Sequence, residues 1–230
     1  MSILVSTNKL AEFITAKTPE HRQRIVRALK RRGKQGYGHY AAFRTPACDF
    51  LSGGASDNAI LENAIAQMGS RNATERITAD SQRTAVAFKK LMEMAPEISL
   101  LDVSFKRYSG GRKVRLHFGE VAIPAAPHLL VHGSRNDVPL VGGLHFYVAK
   151  GRNYELGANG AMLVAAMNYL WVIDTQGTQR TPSPECCMVI ECFQQRITRG
   201  SSDIEGMRET LKKGCEDLAR LWHLMDDKAA

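Results

Sequence analysis

The 230-residue sequence lacks a long apolar run, a disulfide framework and the common nucleotide-binding and hydrolase signatures. Its longest nearly unbroken hydrophobic stretch, Ala161 to Ile173, is interrupted by Asn168 and is shorter than the ~20 residues of a membrane-spanning helix. No basic-apolar-small leader opens the chain. The five cysteines are odd in number and two are adjacent, Cys186 and Cys187, which predicts free thiols in a reducing cytoplasm. No C-x-x-C spacing is present, so Cys186, Cys187 and Cys192 read as small buried hydrophobes rather than zinc ligands. There is no Walker A loop, no dinucleotide fingerprint and no G-x-S-x-G elbow, and Gly142-Gly143 is too short to cradle a phosphate.

Acidic residues are scarce where basic ones are dense. Residues 1–44 hold ten Lys and Arg against Glu12 and Glu20 alone, a surplus of eight that equals the formal charge of the whole chain, +8. Such asymmetry points to an anionic partner. Thr18-Pro19-Glu20 is a helix start, with a hydroxyl cap, proline at the first turn and an acid near the positive end of the dipole. Ile25, Val26 and Leu29 give the helix a docking stripe, and Gly33 is a stop. Arg24, Arg27, Lys30, Arg31, Arg32 and Lys34 fall largely on the remaining surface, where they are expected to hold phosphates. Tyr37, His39 and Tyr40 follow in a glycine-punctuated segment and are available for base stacking. An earlier helix over about 7–17 carries Leu10, Phe13 and Ile14.

The segment 50–57, rich in glycine and serine, reads as a loop and divides a basic helical N-terminal segment, 1–50, from a core domain, 51–230. Helical spacing follows over 60–68 and again up to Met94, where Pro96 ends it. The period then changes to two. Leu101, Val103 and Phe105, then Val114, Leu116 and Phe118, flank the turn Ser109-Gly110-Gly111-Arg112 and predict a hairpin with a basic face of Lys106, Arg112, Lys113 and Arg115. Lys113 and Arg115 extend the expected nucleic-acid surface. Short strands are predicted at 121–123, 129–131 and 144–148, with a turn over 133–137. A helix over 156–173, apolar all round, is expected at the centre. A buried strand at 187–193 and a C-terminal helix opened by a Ser202–Glu205 capping box complete the order. The fold class is α/β or α+β, a mixed sheet flanked by helices.

This order of elements resembles the core of the restriction-endonuclease-like, or PD-(D/E)XK, nucleases over roughly residues 55–225. Pro127-His128-Leu129-Leu130 and Gly143-Leu144-His145 stand where that family carries a proline-aspartate pair and an acid-x-lysine. His128 replaces the aspartate, Gly143 the acid and His145 the lysine, with Lys150 the nearest lysine. The resemblance implies His145 and Lys150 as catalytic candidates, and Mg²⁺ or Mn²⁺ only if the site has been rearranged, since hard cations need oxygen ligands. It favours a cofactor-free, non-catalytic subunit of a DNA- or RNA-processing or genome-defence assembly, with other protein subunits and no membrane. The alternatives are a rearranged metal-dependent nuclease and a module whose basic helix docks on an acidic protein.

Overall fold

In the computed structural model the chain is described over residues 2–31, 41–69, 75–108, 114–149, 156–176 and 179–226. Its centre is a mixed sheet of six strands. β2 (Ser104–Lys106), β5 (Leu129–Arg135), β6 (Val138–Tyr147), β8 (Met188–Glu191) and β9 (Arg196–Arg199) lie side by side in that order. β7 (Thr181–Pro182) also pairs with β6. The β2–β5, β5–β6 and β8–β9 pairs are antiparallel, and β6–β8 is parallel. The parallel pair requires a crossover, supplied by α7 (Gly157–Gln176).

A second sheet of three strands places β4 (Val121–Ile123) between β1 (Ile3–Leu4) and β3 (Leu116–Phe118). One face of the large sheet packs on α1 (Thr7–Thr15) and α7; α8 (Ile204–Asp226) packs on α1, α7 and the small sheet, and α2 (Pro19–Arg31) packs on α1 and α8. The other face packs on α3 (Ala41–Ser52), α4 (Ala59–Gly69), α5 (Glu75–Glu93) and the short α6 (Ala95–Ser99). Alternation along β6 makes this division. Leu144 and Phe146 face the second group, and Val141, His145 and Tyr147 face the first.

The fold class read from the pattern holds, and several elements differ. The hairpin expected over 101–118 does not form. Phe105 pairs with Val131 in the large sheet, and Leu116 pairs with Ile123 in the small one. Period-two alternation fixes which face of a strand is apolar, and both strands obey it, but it carries no information on the partner. The hairpin is instead β5–β6, closed by Asn136 and Asp137 at φ 49° and 62°. Both residue types tolerate the left-handed conformation that a two-residue turn needs.

The segment 50–57 is not all loop. Phe50 and Leu51 are in the last turn of α3 and fully buried, and Cys48 sits on the same helix. The boundary drawn at residue 50 therefore falls inside a helix, and β1, α1 and α2 share one core with α7 and α8. Pro96 sits in the first turn of α6 as well as following α5. The cap of α8 is Asp203, whose carboxylate accepts from the Gly206 N–H at 3.0 Å, rather than Ser202. β9 has no counterpart in the predicted order.

Gly142 and Gly143 serve packing. A Cβ at Gly142 would stand 2.2 Å from the Cys186 carbonyl, and one at Gly143 would stand 2.8 Å from the Pro127 ring. The sheet centre thus passes beneath the 3-10 turn Pro184–Cys186 with no room for a methyl group. Gly142→Ala is expected to cost about 1–3 kcal/mol or more, because a backbone neighbour cannot rotate away. Urea unfolding with an unchanged slope would check it.

Candidate functional site

Two features of the structure carry the chemistry that the sequence singles out: the outer face of α2, and a buried pair of histidines at the sheet centre.

Helix α2 begins as expected, with the Thr18 hydroxyl accepting from the His21 N–H at 3.2 Å. Ile25 and Val26 are buried against the core. Arg24, Arg27 and Arg31 are exposed at i, i+3 and i+7, so they share one face and span about 10 Å of axis. Among the described residues none of the three has an acidic partner. Arg27 reaches only the Gln23 side-chain oxygen, at 3.5 Å.

Lys30 behaves differently from the phosphate ligand that was expected. Its ammonium donates to the Trp222 carbonyl at 2.5 Å and lies 4.9 Å from that residue's ring centre, which holds α2 on α8. Arg22 does similar work over Phe13 and beside Asp217. Arg115 is exposed just before β3, which like α2 packs on α8. Arg32, Lys34, Lys113 and Lys150, together with Tyr37, His39, Tyr40 and Arg112, lie outside the described residues.

The histidine pair is built by the β5–β6 hairpin. Pro127 has no N–H, so the ladder begins at His128, whose N–H donates to the Leu144 carbonyl at 2.8 Å. The Phe146 N–H then donates to His128 Nδ1 at 3.0 Å, a side-chain acceptor in place of a strand carbonyl. That bond fixes the neutral tautomer with its proton on Nε2. The His145 ring lies 4.3 Å from the His128 ring, centre to centre.

His145 is itself enclosed. Its Nδ1–H donates to the Asn168 side-chain oxygen at 2.9 Å, and its Nε2 accepts from the Thr7 hydroxyl at 3.2 Å. Asn168 in turn donates its amide to the Gly143 carbonyl at 3.2 Å, with the Met188 carbonyl at 3.5 Å. Its two donors and its oxygen set the direction of every proton in this chain of bonds. Thr7, His145 and Asn168 are all buried, and they tie α1, β6 and α7 together.

Burial pushes the His145 imidazole down to about 4, a shift that the Asn168 hydrogen bond opposes and Arg44 reinforces. His128 is also held well below the ordinary histidine range, by burial first and then by the neighbouring ring and Arg44. Both histidines are therefore neutral at pH 7. Both ring nitrogens of His145 are engaged within the fold and little of its surface is exposed. Among the described residues no group of three or more His, Cys, Asp or Glu could hold a metal ion.

A further polar cluster, not legible as a whole in the sequence, lies on the same face. Tyr147, two residues beyond His145, donates its hydroxyl to Glu12 at 3.2 Å, and Lys9 pairs with the other oxygen of Glu12. Tyr147 lies opposite Glu191 in the register of β6 and β8. Glu191 is fully buried and accepts from Arg196 Nε at 2.6 Å. The i, i+3 spacing of Lys9 and Glu12 was a usable signal for that pair; the approach of Glu12 to Tyr147, 135 residues away, was not. The chain matches no protein family, no curated protein and no solved structure.

Proposed function

We propose that this chain binds nucleic acid through the exposed face of α2, as a non-catalytic subunit of a larger DNA- or RNA-processing assembly. The observation that carries the reading is the row of Arg24, Arg27 and Arg31, exposed, rigidly spaced and without acidic partners among the described residues. Guanidinium groups with free donors on a fixed helix bind phosphate oxygens in a fork and release counterions as they do so. Arg115 extends the surface.

The reading draws on the resemblance of the sequence to the PD-(D/E)XK core. In the large sheet β2, β5 and β6 are neighbouring antiparallel strands, with β3 and β4 of the small sheet between β2 and β5 in the chain, and the crossover helix α7 leads from β6 to the parallel strand β8. The non-catalytic reading is supported by what occupies the matching positions. His128 and His145 lie against each other there as neutral, mutually tilted rings whose hydrogen bonds hold the sheet and its helices.

The test is binding of labelled single-stranded and duplex oligonucleotides across a salt series, with and without Mn²⁺. Arg27→Glu with Arg31→Glu is expected to weaken binding more than tenfold and to reduce the slope of log K against log salt by about two. Unchanged affinity would refute the interface, and metal-dependent cleavage of the substrate would refute the non-catalytic reading.

A further inference from the structure

Between α1 and α2 lies a recess of about 220 Å³, lined by Lys9, Glu12, His21 and Arg24 on its polar side and by Ile25 and Leu29 on its apolar side. It opens beside the arginine row, because Arg24 belongs to both. Its volume is below the ~300–1,000 Å³ of pockets for drug-sized ligands. The two sides differ in chemistry. The apolar wall suits the face of a flat ring. The Glu12 carboxylate, held by Lys9 and by the Tyr147 hydroxyl, keeps lone pairs to accept an amino group. The Glu12 carboxylate offers acceptors inside the recess, while Arg24 at its edge and Arg27 and Arg31 outside it attract a phosphate.

We infer that the recess receives one unstacked nucleobase bearing an exocyclic amine, so that the bound nucleic acid is single-stranded where it meets α2. This rests on the nucleic-acid reading of α2 and narrows it. Carboxylates accept from the cytosine amino group, whereas thymine has a carbonyl oxygen at that position and only its ring N3–H to donate. A base can enter only after leaving its stack, which costs least in a single strand.

The experiment compares binding of oligo-dC, oligo-dT and a duplex by fluorescence anisotropy, with the full chain, Ala28→Trp and Glu12→Gln. Ala28 borders the recess and is exposed, so the tryptophan fills the recess from outside, and a thermal melt confirms that both variants fold. The full chain is expected to prefer oligo-dC over oligo-dT and over duplex by about tenfold, the scale of one specific base contact. Ala28→Trp is expected to remove both preferences, and Glu12→Gln to remove the preference for oligo-dC over oligo-dT. Equal binding of all three oligonucleotides by the full chain overturns this inference and leaves the arginine interface standing. Preferences that survive Ala28→Trp overturn it too. Binding to none of the three overturns the arginine interface, and this inference with it.

Discussion

Replacing Asn168 by leucine is expected to cost about 3 kcal/mol or more of stability. The two side chains are of similar size, so the loss is one of hydrogen bonds rather than of volume. Asn168 is fully buried and meets three groups: the His145 Nδ1–H, the Gly143 carbonyl and the Met188 carbonyl. Each buried polar group left without a partner costs roughly 1–3 kcal/mol. The Met188 contact is long and counts least. The His145 donor counts most, since its ring cannot turn to another acceptor without releasing Thr7. Chemical denaturation reads the loss as a lower midpoint at constant slope. A variant within ~0.5 kcal/mol of the parent would show that the network contributes nothing net. Thr7→Val tests the other end of the chain of bonds and is expected to cost less, because His145 loses a donor to an acceptor nitrogen only.

Acid is expected to unfold this protein earlier than its carboxylates alone dictate. In the folded chain His145 protonates near 4, and in the unfolded chain near 6.5. Between those values the unfolded state binds the extra proton, so stability rises with pH through the window. The contribution is fully present above about pH 6.5 and is lost as pH falls toward 4. One group shifted by 2.5 pH units is worth about 3 kcal/mol over that range. His128 acts in the same direction, because its protonated ring could no longer accept from the Phe146 N–H. Protonating both rings would also set two charges 4.3 Å apart. Unfolding free energies measured at half-unit steps from pH 7.5 to 4 give the slope. His145→Gln should flatten it. A wild-type curve without slope between pH 6.5 and 4.5 contradicts the buried neutral pair.

These two expectations share an origin in the β5–β6 hairpin and its cover. Both concern stability, whereas the arginine row and the recess beside it concern binding. The separation has a practical use: substitutions in α2 at Arg27 and Arg31 leave the histidine network intact, so a change in nucleic-acid binding there cannot be ascribed to a disturbed core.

The sequence by itself determined the elements whose evidence is local. Proline after a threonine cap set the start of α2, and the apolar spacing of Ile25 and Val26 set which side of it is buried. The apolar run of α7, interrupted by Asn168, announced a largely buried helix, and Ala161 and residues 163–168 are buried. Alternation in β6 announced which residues face which layer. In each case the signal is the period of side-chain direction along one segment, and that period is a property of the segment alone.

Tertiary structure decided everything that depends on what lies opposite. Phe105 meets Val131 rather than Leu116, because a strand's apolar face is satisfied by any matching partner and only the packed whole selects one. Lys30 left the expected phosphate surface because α8 brings the Trp222 ring and carbonyl within its reach. His128 and His145 are 17 positions apart in sequence and meet only because a two-residue turn folds their strands together. The enclosure of His145 comes from Thr7 and Asn168, one on a helix 138 residues before it and the other 23 residues after it. Sequence periodicity places a side chain on a face; the pKa and the role of that side chain are set by what the other elements place against it.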